Sequence, residues 1–192
     1  MQVERIVHAC DVNGLCYYVV LNAAAVVAWA FENMDKYGEV QGIYAGGSSA
    51  GGYLSMMLCF DDRWLGKHGI SPIQLKGFVH DAGQPTTHFN VLRERGMDHR
   101  RVVVDEAAPL YHIGEDPAYP PMRFIVSDND MKCRYEQTLV VLETMKYLEY
   151  PMDNVSLRVM HGGHCHYCSK MDENGESVFA QMIRDFVESV QG

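Results

Sequence analysis

The chain has 192 residues, a formal net charge of −9 and a pI of about 5.4. An acidic balance of this size argues against a nucleic-acid surface, and no nucleic acid is expected as a partner. A content of 47% hydrophobic and 21% charged residues is ordinary for a soluble globular protein, and the length suffices for one domain, residues 1–192, with a sizeable core.

The six cysteines, Cys10, Cys16, Cys59, Cys133, Cys165 and Cys168, show no regular framework and read as reduced thiols of a cytoplasmic protein. Leu15 to Phe31 is long and apolar, but its front carries Glu4 and Asp11 against the single Arg5, unlike a secretory leader. Asn22 interrupts the run, which is too short to span a bilayer comfortably, so no membrane partner is expected.

Arg5 to Cys10 and Cys16 to Val20 read as short β-like pieces around the turn Asp11-Val12-Asn13-Gly14. Leu21 to Tyr37 reads as a helix, capped by Asn22 and ended by Gly38. It is apolar nearly all round, which predicts that it is well covered. Ile43 to Ala45 is a short buried strand, followed by a cluster of tiny residues and a helix to about Phe60. Asp61 to Pro72 is a predicted polar loop and Leu75 to His80 the next strand. Thr86 to Gly96 predicts a short helix, and Asp105 to His112 a segment around Pro109. Pro120-Pro121 leads into a strand at Met122 to Ser127, and Tyr135 to Tyr150 is a helix that Pro151 cannot continue. Val155 to Met160 is the last strand, His161 to Lys170 a loop rich in His and Cys, and Glu176 to Val190 an amphipathic closing helix. Strands alternating with helices predict an α/β fold, a mostly parallel sheet with helices on both faces.

Gly47-Ser48-Ser49-Ala50-Gly51 fits the G-x-S-x-G nucleophile elbow and lies between a strand pattern and a helix pattern. A serine on so sharp a turn has strained backbone angles and needs nearly side-chain-free flanks. Gly47 and Gly51 are expected to give that room, with Ala50 and Gly52 keeping the next turn slim. The helix N-terminus points its free N–H groups at the reaction site, so the Ala50 N–H is an expected oxyanion donor. No Gly-Lys-Ser/Thr follows, which argues against a phosphate loop. Serine needs a base and the base an orienting acid. Two later strand ends carry them: Asp128-Asn129-Asp130 after Met122 to Ser127, and His161-Gly162-Gly163-His164 after Val155 to Met160. The order Ser, Asp, His suits an elbow that comes first.

These pieces resemble the α/β-hydrolases, in the esterase/lipase branch that includes acetyl esterases and carbohydrate-deacetylating enzymes. The resemblance rests on Gly-Gly-Ser-Ser-Ala-Gly-Gly, the strand ending Ser-Asp-Asn-Asp, and Gly-Gly-His, and spans roughly residue 20 to the end. It implies Ser49 as nucleophile, Asp130 as acid with Asp128 as turn former, and His164 as base. It further implies a Ser-His-Asp acyl-enzyme mechanism on a small-molecule ester, acetyl-type and of a carbohydrate or alcohol, with no cofactor. The match departs after His164, where Cys165-His166 stands in place of Gly and an aromatic.

The family normally carries a His-Gly-Gly-Gly-type segment well before the elbow, and it supplies the second oxyanion donor. None precedes Ser49 here. The resemblance therefore implies either an N-terminally shortened core lacking its first strands, or a donor from elsewhere. A shortened sheet exposes a strand edge and apolar surface, which predicts a homo-oligomer.

His161, His164, Cys165, His166 and Cys168 lie within eight positions and are residue types that suit zinc. Their spacing matches no paired C-x-x-C finger, and no metal is expected. His80-Asp81, at a strand end, reads either as pocket lining or as residues satisfying local hydrogen bonds. Tyr53, Met56, Met57 and Leu58 read as core, while His88, Phe89 and Tyr111 are candidates for shaping an acyl or alcohol pocket. Two rivals to the esterase remain at this level: a serine peptidase of the same fold, and a catalytically inactive remnant acting as a binding or assembly module.

Overall fold

The computed structural model describes residues 14–114 and 118–191, with side chains from Tyr17 onward. The expected strand Arg5 to Cys10 lies outside these residues. The first described element is helix α1, Gly14–Asn33, and here the sequence reading needs correction. Cys16 to Val20 is not β-like but the first turns of α1, and Asn22 lies inside the helix rather than capping it. The β-branched Val19 and Val20 run into an alanine-rich stretch of high helix propensity. Val20, Ala24, Val27 and Ala28 then fall on one helical face and are buried. The opposite side is not covered as expected: Val19, Val26 and Trp29 are exposed. The helix gives way to a 3₁₀ turn, Met34–Lys36.

Strand β1, Tyr44–Ser48, leads through Ser49 into helix α2, Ala50–Phe60. The stretch expected as loop contains the short helix α3, Arg63–Gly66, which buries Trp64 and Leu65. Strand β2 is Gly77–Asp81, helix α4 is Phe89–Glu94, and strand β3 is Met122–Ser127. Helix α5, Arg134–Tyr147, strand β4, Val155–Met160, and helix α6, Val178–Gln191, complete the order.

The four strands form one sheet in the order β1-β2-β3-β4, every pair parallel. Alternation along the strands sorts the side chains. Phe78, Met122 and Phe124 face a core shared with α1, α2 and α5, whereas Val79 and Ile125 face Tyr167 and the Met182 and Phe186 of α6. Full burial of an aromatic or methionine side chain is worth about 1.5–3 kcal/mol each, so the interior faces of β2 and β3 dominate the packing. The structure is thus an α/β fold with helices on both faces of a parallel sheet.

Parallel pairing puts the carboxyl ends of all four strands at one rim. Ser49 follows β1, Asp130 comes three residues after β3, and His164 four residues after β4. The topology therefore gathers residues that are far apart in the chain.

Candidate active site

The elbow is built by steric necessity. Ser49 sits at φ 56, ψ −112, in the positive-φ region that a side chain normally avoids. Its N–H donates to the Asp81 carbonyl at 2.8 Å, which ties the turn to the end of β2. A Cβ on Gly47 would come 2.6 Å from the Gly51 carbonyl carbon, and one on Gly52 2.3 Å from the Asp81 carbonyl oxygen. Room is thus required at Gly47 and Gly52. The expectation for Gly51 needs correction: a Cβ there meets nothing within 4 Å. What must stay close at Gly51 is its backbone, against which Gly47 packs.

Ser49 Oγ lies 2.7 Å from His164 Nε2, and His164 Nδ1 lies 2.6 Å from Asp130 Oδ1. A carboxylate only accepts, so the imidazole proton resides on Nδ1 and Nε2 is left to accept from the serine hydroxyl. Asp130 is itself aimed by two backbone donors, the Met131 N–H at 2.7 Å and the Ser127 N–H at 3.3 Å. Its side chain is fully buried while that of His164 keeps 25% exposure, so the base is reachable and the acid is sheltered. The structure thus brings together Ser49, His164 and Asp130. Ala50 opens α2, so its N–H has no intrahelical acceptor and stands beside the serine.

The loop that carries His164 is clamped to the end of β3. Ser127 Oγ donates to the Gly163 carbonyl at 2.8 Å, the Asp128 N–H to the Met160 carbonyl at 2.9 Å, and the Gly162 N–H to Asp128 Oδ1 at 3.0 Å. Asp128 also pairs with His161 Nδ1. The Gly162 N–H, and then His161, hold the Asp128 carboxyl below its ordinary range. Asp128, which the resemblance implies as a turn former, here fastens the loop in which His164 sits.

Behind the serine lies Asp81, which takes the second of its two expected roles, that of satisfying hydrogen bonds, with partners the sequence did not indicate. Asp81, fully buried, accepts from the hydroxyls of Ser48 and Tyr167 and, at 3.5 Å, from the Cys168 thiol. Burial raises its pKa, and those three donors only partly offset the rise. The signal was present in Asp81 at a strand end and in the Cys165-x-x-Cys168 spacing, but only the fold joins them. Asp81, Cys165 and Cys168 are also the residues, among those described, whose atoms come within 4.8 Å of one another in a metal-ligand set. Burial pushes the Cys165 thiol up to about 12 and raises Cys168 as well, which disfavours the thiolates a metal needs. Of the three histidines of the loop, two are engaged elsewhere, His161 with Asp128 and His164 with the serine and Asp130.

His80 does not line a pocket. It is buried among Phe60, Phe78 and Phe124, with Nδ1 2.9 Å from Ser55 Oγ and with Nε2 unpartnered among the described residues. Desolvation lowers its pKa to about 3, so it is neutral. Tyr53, Met56, Met57 and Leu58 are buried core, as expected. A cleft of about 120 Å³ opens beside Ala50, lined by Val19, Tyr53, Leu54, His88, Asn90 and Glu94. His88 thus borders the elbow, Phe89 borders a different cavity, and Tyr111 is exposed and borders neither. A further cavity of about 230 Å³ lies between α1, α2 and α3, around Tyr17, Met57 and Trp64, away from the triad.

Among the described residues no helix is long and apolar enough to cross a membrane. No protein-family model matches the chain, and no curated protein matches it. Solved structures do. The propionate-bound esterase Est2 of Thermogutta terrifontis superposes with a TM-score of 0.62 at 17% identity, over 89% of this chain and 64% of the esterase. A truncated carbohydrate esterase from gut microbiota gives a TM-score of 0.65 at 17% identity, over 90% of this chain and 68% of that one. An acylaminoacyl peptidase in complex with a chloromethyl ketone gives 0.55 at 16% identity, over 82% of this chain but only 25% of the peptidase. The chain therefore spans 64–68% of the length of these esterases and a quarter of the peptidase, and what it shares with them is the fold, a parallel α/β sheet flanked by helices.

Proposed function

We propose that the chain is a serine carboxylic-ester hydrolase acting on small acyl esters. One observation carries this reading: a strained Ser49 hydrogen-bonded to His164, which is hydrogen-bonded to a buried Asp130. Ser49 Oγ attacks the ester carbonyl carbon while His164 Nε2 takes its proton. The oxyanion receives the Ala50 N–H. The tetrahedral adduct collapses, His164 returns the proton to the departing alkoxide, and the acyl group stays on Ser49. Water then repeats the sequence with His164 as base and frees the acid. Asp130 keeps the imidazole in the required tautomer and stabilises its positive charge.

The size of the cleft beside Ala50, about 120 Å³, favours acyl groups of the acetyl class. A carbohydrate as the alcohol half is supported by the fold likeness to the gut carbohydrate esterase. Ala50 is the oxyanion donor assigned here, and a missing second donor would cost about 10²–10³ in turnover. Incubation with p-nitrophenyl acetate and with a fluorophosphonate, beside Ser49→Ala, tests the reading. Turnover and labelling that vanish in the variant support it. Absence of both in the unaltered protein supports the rival, a non-catalytic binding module. A peptidase of this fold is the second rival, supported by the likeness to the acylaminoacyl peptidase, and cleavage of acyl-peptide amides would reveal it.

The reading includes self-association in the cytoplasm. Among the described residues β1 has a strand neighbour on one side only, and α1 exposes Val19, Val26 and Trp29. Cys59, Cys133, Cys165 and Cys168 are free thiols, in keeping with a reducing compartment. Light scattering that shows a monodisperse monomer at high concentration would remove the self-association.

A further inference from the structure

Beside the proposed catalytic acid lies a cavity of about 550 Å³, between α4 with the segment after it and the start of α5. Its lining includes Arg93, Arg100, Arg101, Lys132 and Arg134, and among the described residues no carboxylate. Five of the 16 basic side chains thus line one hollow in a chain of net charge −9.

Arg134 is the most telling member. It is 4% exposed, and its guanidinium donates to the Ala82 carbonyl and, at 3.4 Å, to Gln84 Oε1. Neither acceptor is charged, and among the described residues Arg134 forms no ion pair. Asp130 acts on the guanidinium electrostatically without pairing with it, so the buried cation is only partly compensated, and an incoming anion would offset the remaining cost. Of the others, Arg100 is spoken for by Asp98, while Arg93 donates to the neutral Asn90 amide oxygen and lies over the Phe89 ring. Arg101 and Lys132 form no ion pair among the described residues.

The cavity is tied to the reacting groups through the chain. Met131 and Lys132, in its lining, directly follow Asp130, and Ala82 directly follows Asp81, whose carbonyl anchors the Ser49 N–H.

We propose that this cavity holds a carboxylate carried by the acyl or the alcohol half of the ester, so that the preferred substrates are anionic. The proposal rests on the esterase reading of the same rim. Guanidinium groups suit a planar carboxylate, which two parallel N–H donors engage. The carboxylate is a handle and takes no part in the bond changes.

Two charged esters test it, phenyl hydrogen succinate with the anion on the acyl side and 4-acetoxybenzoate with it on the alcohol side. Methyl phenyl succinate and phenyl acetate are the neutral comparators. The readout is the ratio of kcat/KM for charged over neutral ester, in the unaltered chain and in the Arg101→Glu/Lys132→Glu double variant. The ratio for one pair is expected to fall about tenfold or more in the variant, and to shrink in the unaltered chain as salt is raised. Should the charge reversal fail to fold, Arg101→Gln/Lys132→Gln is the substitute, with a smaller fall in the same direction. A ratio unchanged in both pairs overturns the proposal. If no ester is turned over, calorimetry with succinate on Ser49→Ala protein, with and without the double substitution, separates the two ideas. Binding that the substitution abolishes keeps the anion site while the esterase reading fails, and no binding overturns the site as well.

Discussion

Two histidine–aspartate pairs stand side by side on this molecule, and they differ in everything but composition. His164 and Asp130 join at 2.6 Å, the acid fully buried and the base 25% exposed. His161 pairs with Asp128, but its side chain is 96% exposed and that of Asp128 37%. Both pairs link the end of β3 to the end of β4. The three-residue step from His161 to His164 carries the loop back over the rim, so that of these two histidines only the second arrives at Ser49. Chemistry here depends on what shelters a pair and where its free nitrogen points. The outer pair clamps the loop, and the inner pair within it meets Ser49.

Breaking the two pairs in turn should separate these jobs. His164→Ala is expected to lower kcat for p-nitrophenyl acetate by roughly 10²–10⁴, the contribution typical of a positioned acid–base residue. His161→Ala should change it by less than about threefold, since an exposed ion pair is screened by solvent and contributes little. Asp130→Asn should cost less than removing the base but still on the order of 10² or more, because the amide cannot fix the imidazole proton as the carboxylate does. Asp128→Asn should cost under about tenfold and act by loosening Gly162. Steady-state rates of the four variants check the ranking, and equal losses from the two pairs would dissolve the distinction.

That distinction was legible in the sequence only in part. The elbow announces itself because the sterics at Ser49 demand glycines in a fixed pattern, and strand ends in order supply the acid and base. Choosing Asp130 and His164 over their neighbours relied on resemblance, since spacing alone does not say which imidazole the loop turns inward. Other features depended on contacts between distant segments. Val19 and Val20 look like strand residues until the alanine run makes them one helix. The exposed side of α1 was hidden because an all-apolar pattern does not reveal which face finds a partner. The basic cavity joins residues 93–101 to residues 132–134, and neither stretch alone shows it.

The glycines of the elbow give a second, smaller contrast. Gly47→Ala puts a Cβ 2.6 Å from the Gly51 backbone and is expected to destabilise the fold by about 1–3 kcal/mol, the usual cost of overpacking. Gly51→Ala meets open space within a helix and should be neutral or stabilising, by up to about 1 kcal/mol. Denaturant melts of the two variants decide it, and a Gly51→Ala loss as large as that of Gly47→Ala would show that the packing differs from that described.

His80 extends the contrast between sheltered and exposed imidazoles to stability. Its pKa is lowered to about 3 by burial, against an ordinary value near 6.5, so the unfolded chain binds the proton first. Its stabilising contribution is full above the unfolded value and is lost as pH falls from about 6.5 towards 3. His80→Phe, set among Phe60, Phe78 and Phe124, should flatten the acid limb of the stability profile over that range. An unchanged limb would mean that His80 is not the group responsible.

The most direct test of the account is fluorophosphonate labelling, with the labelled peptide read by mass spectrometry, in the unaltered chain, His164→Ala and His161→Ala. Label is expected on Ser49 in the unaltered chain and in His161→Ala, and little or none in His164→Ala. Label that persists in His164→Ala, or an unaltered chain that takes none, would contradict the claim that these three side chains form one working unit.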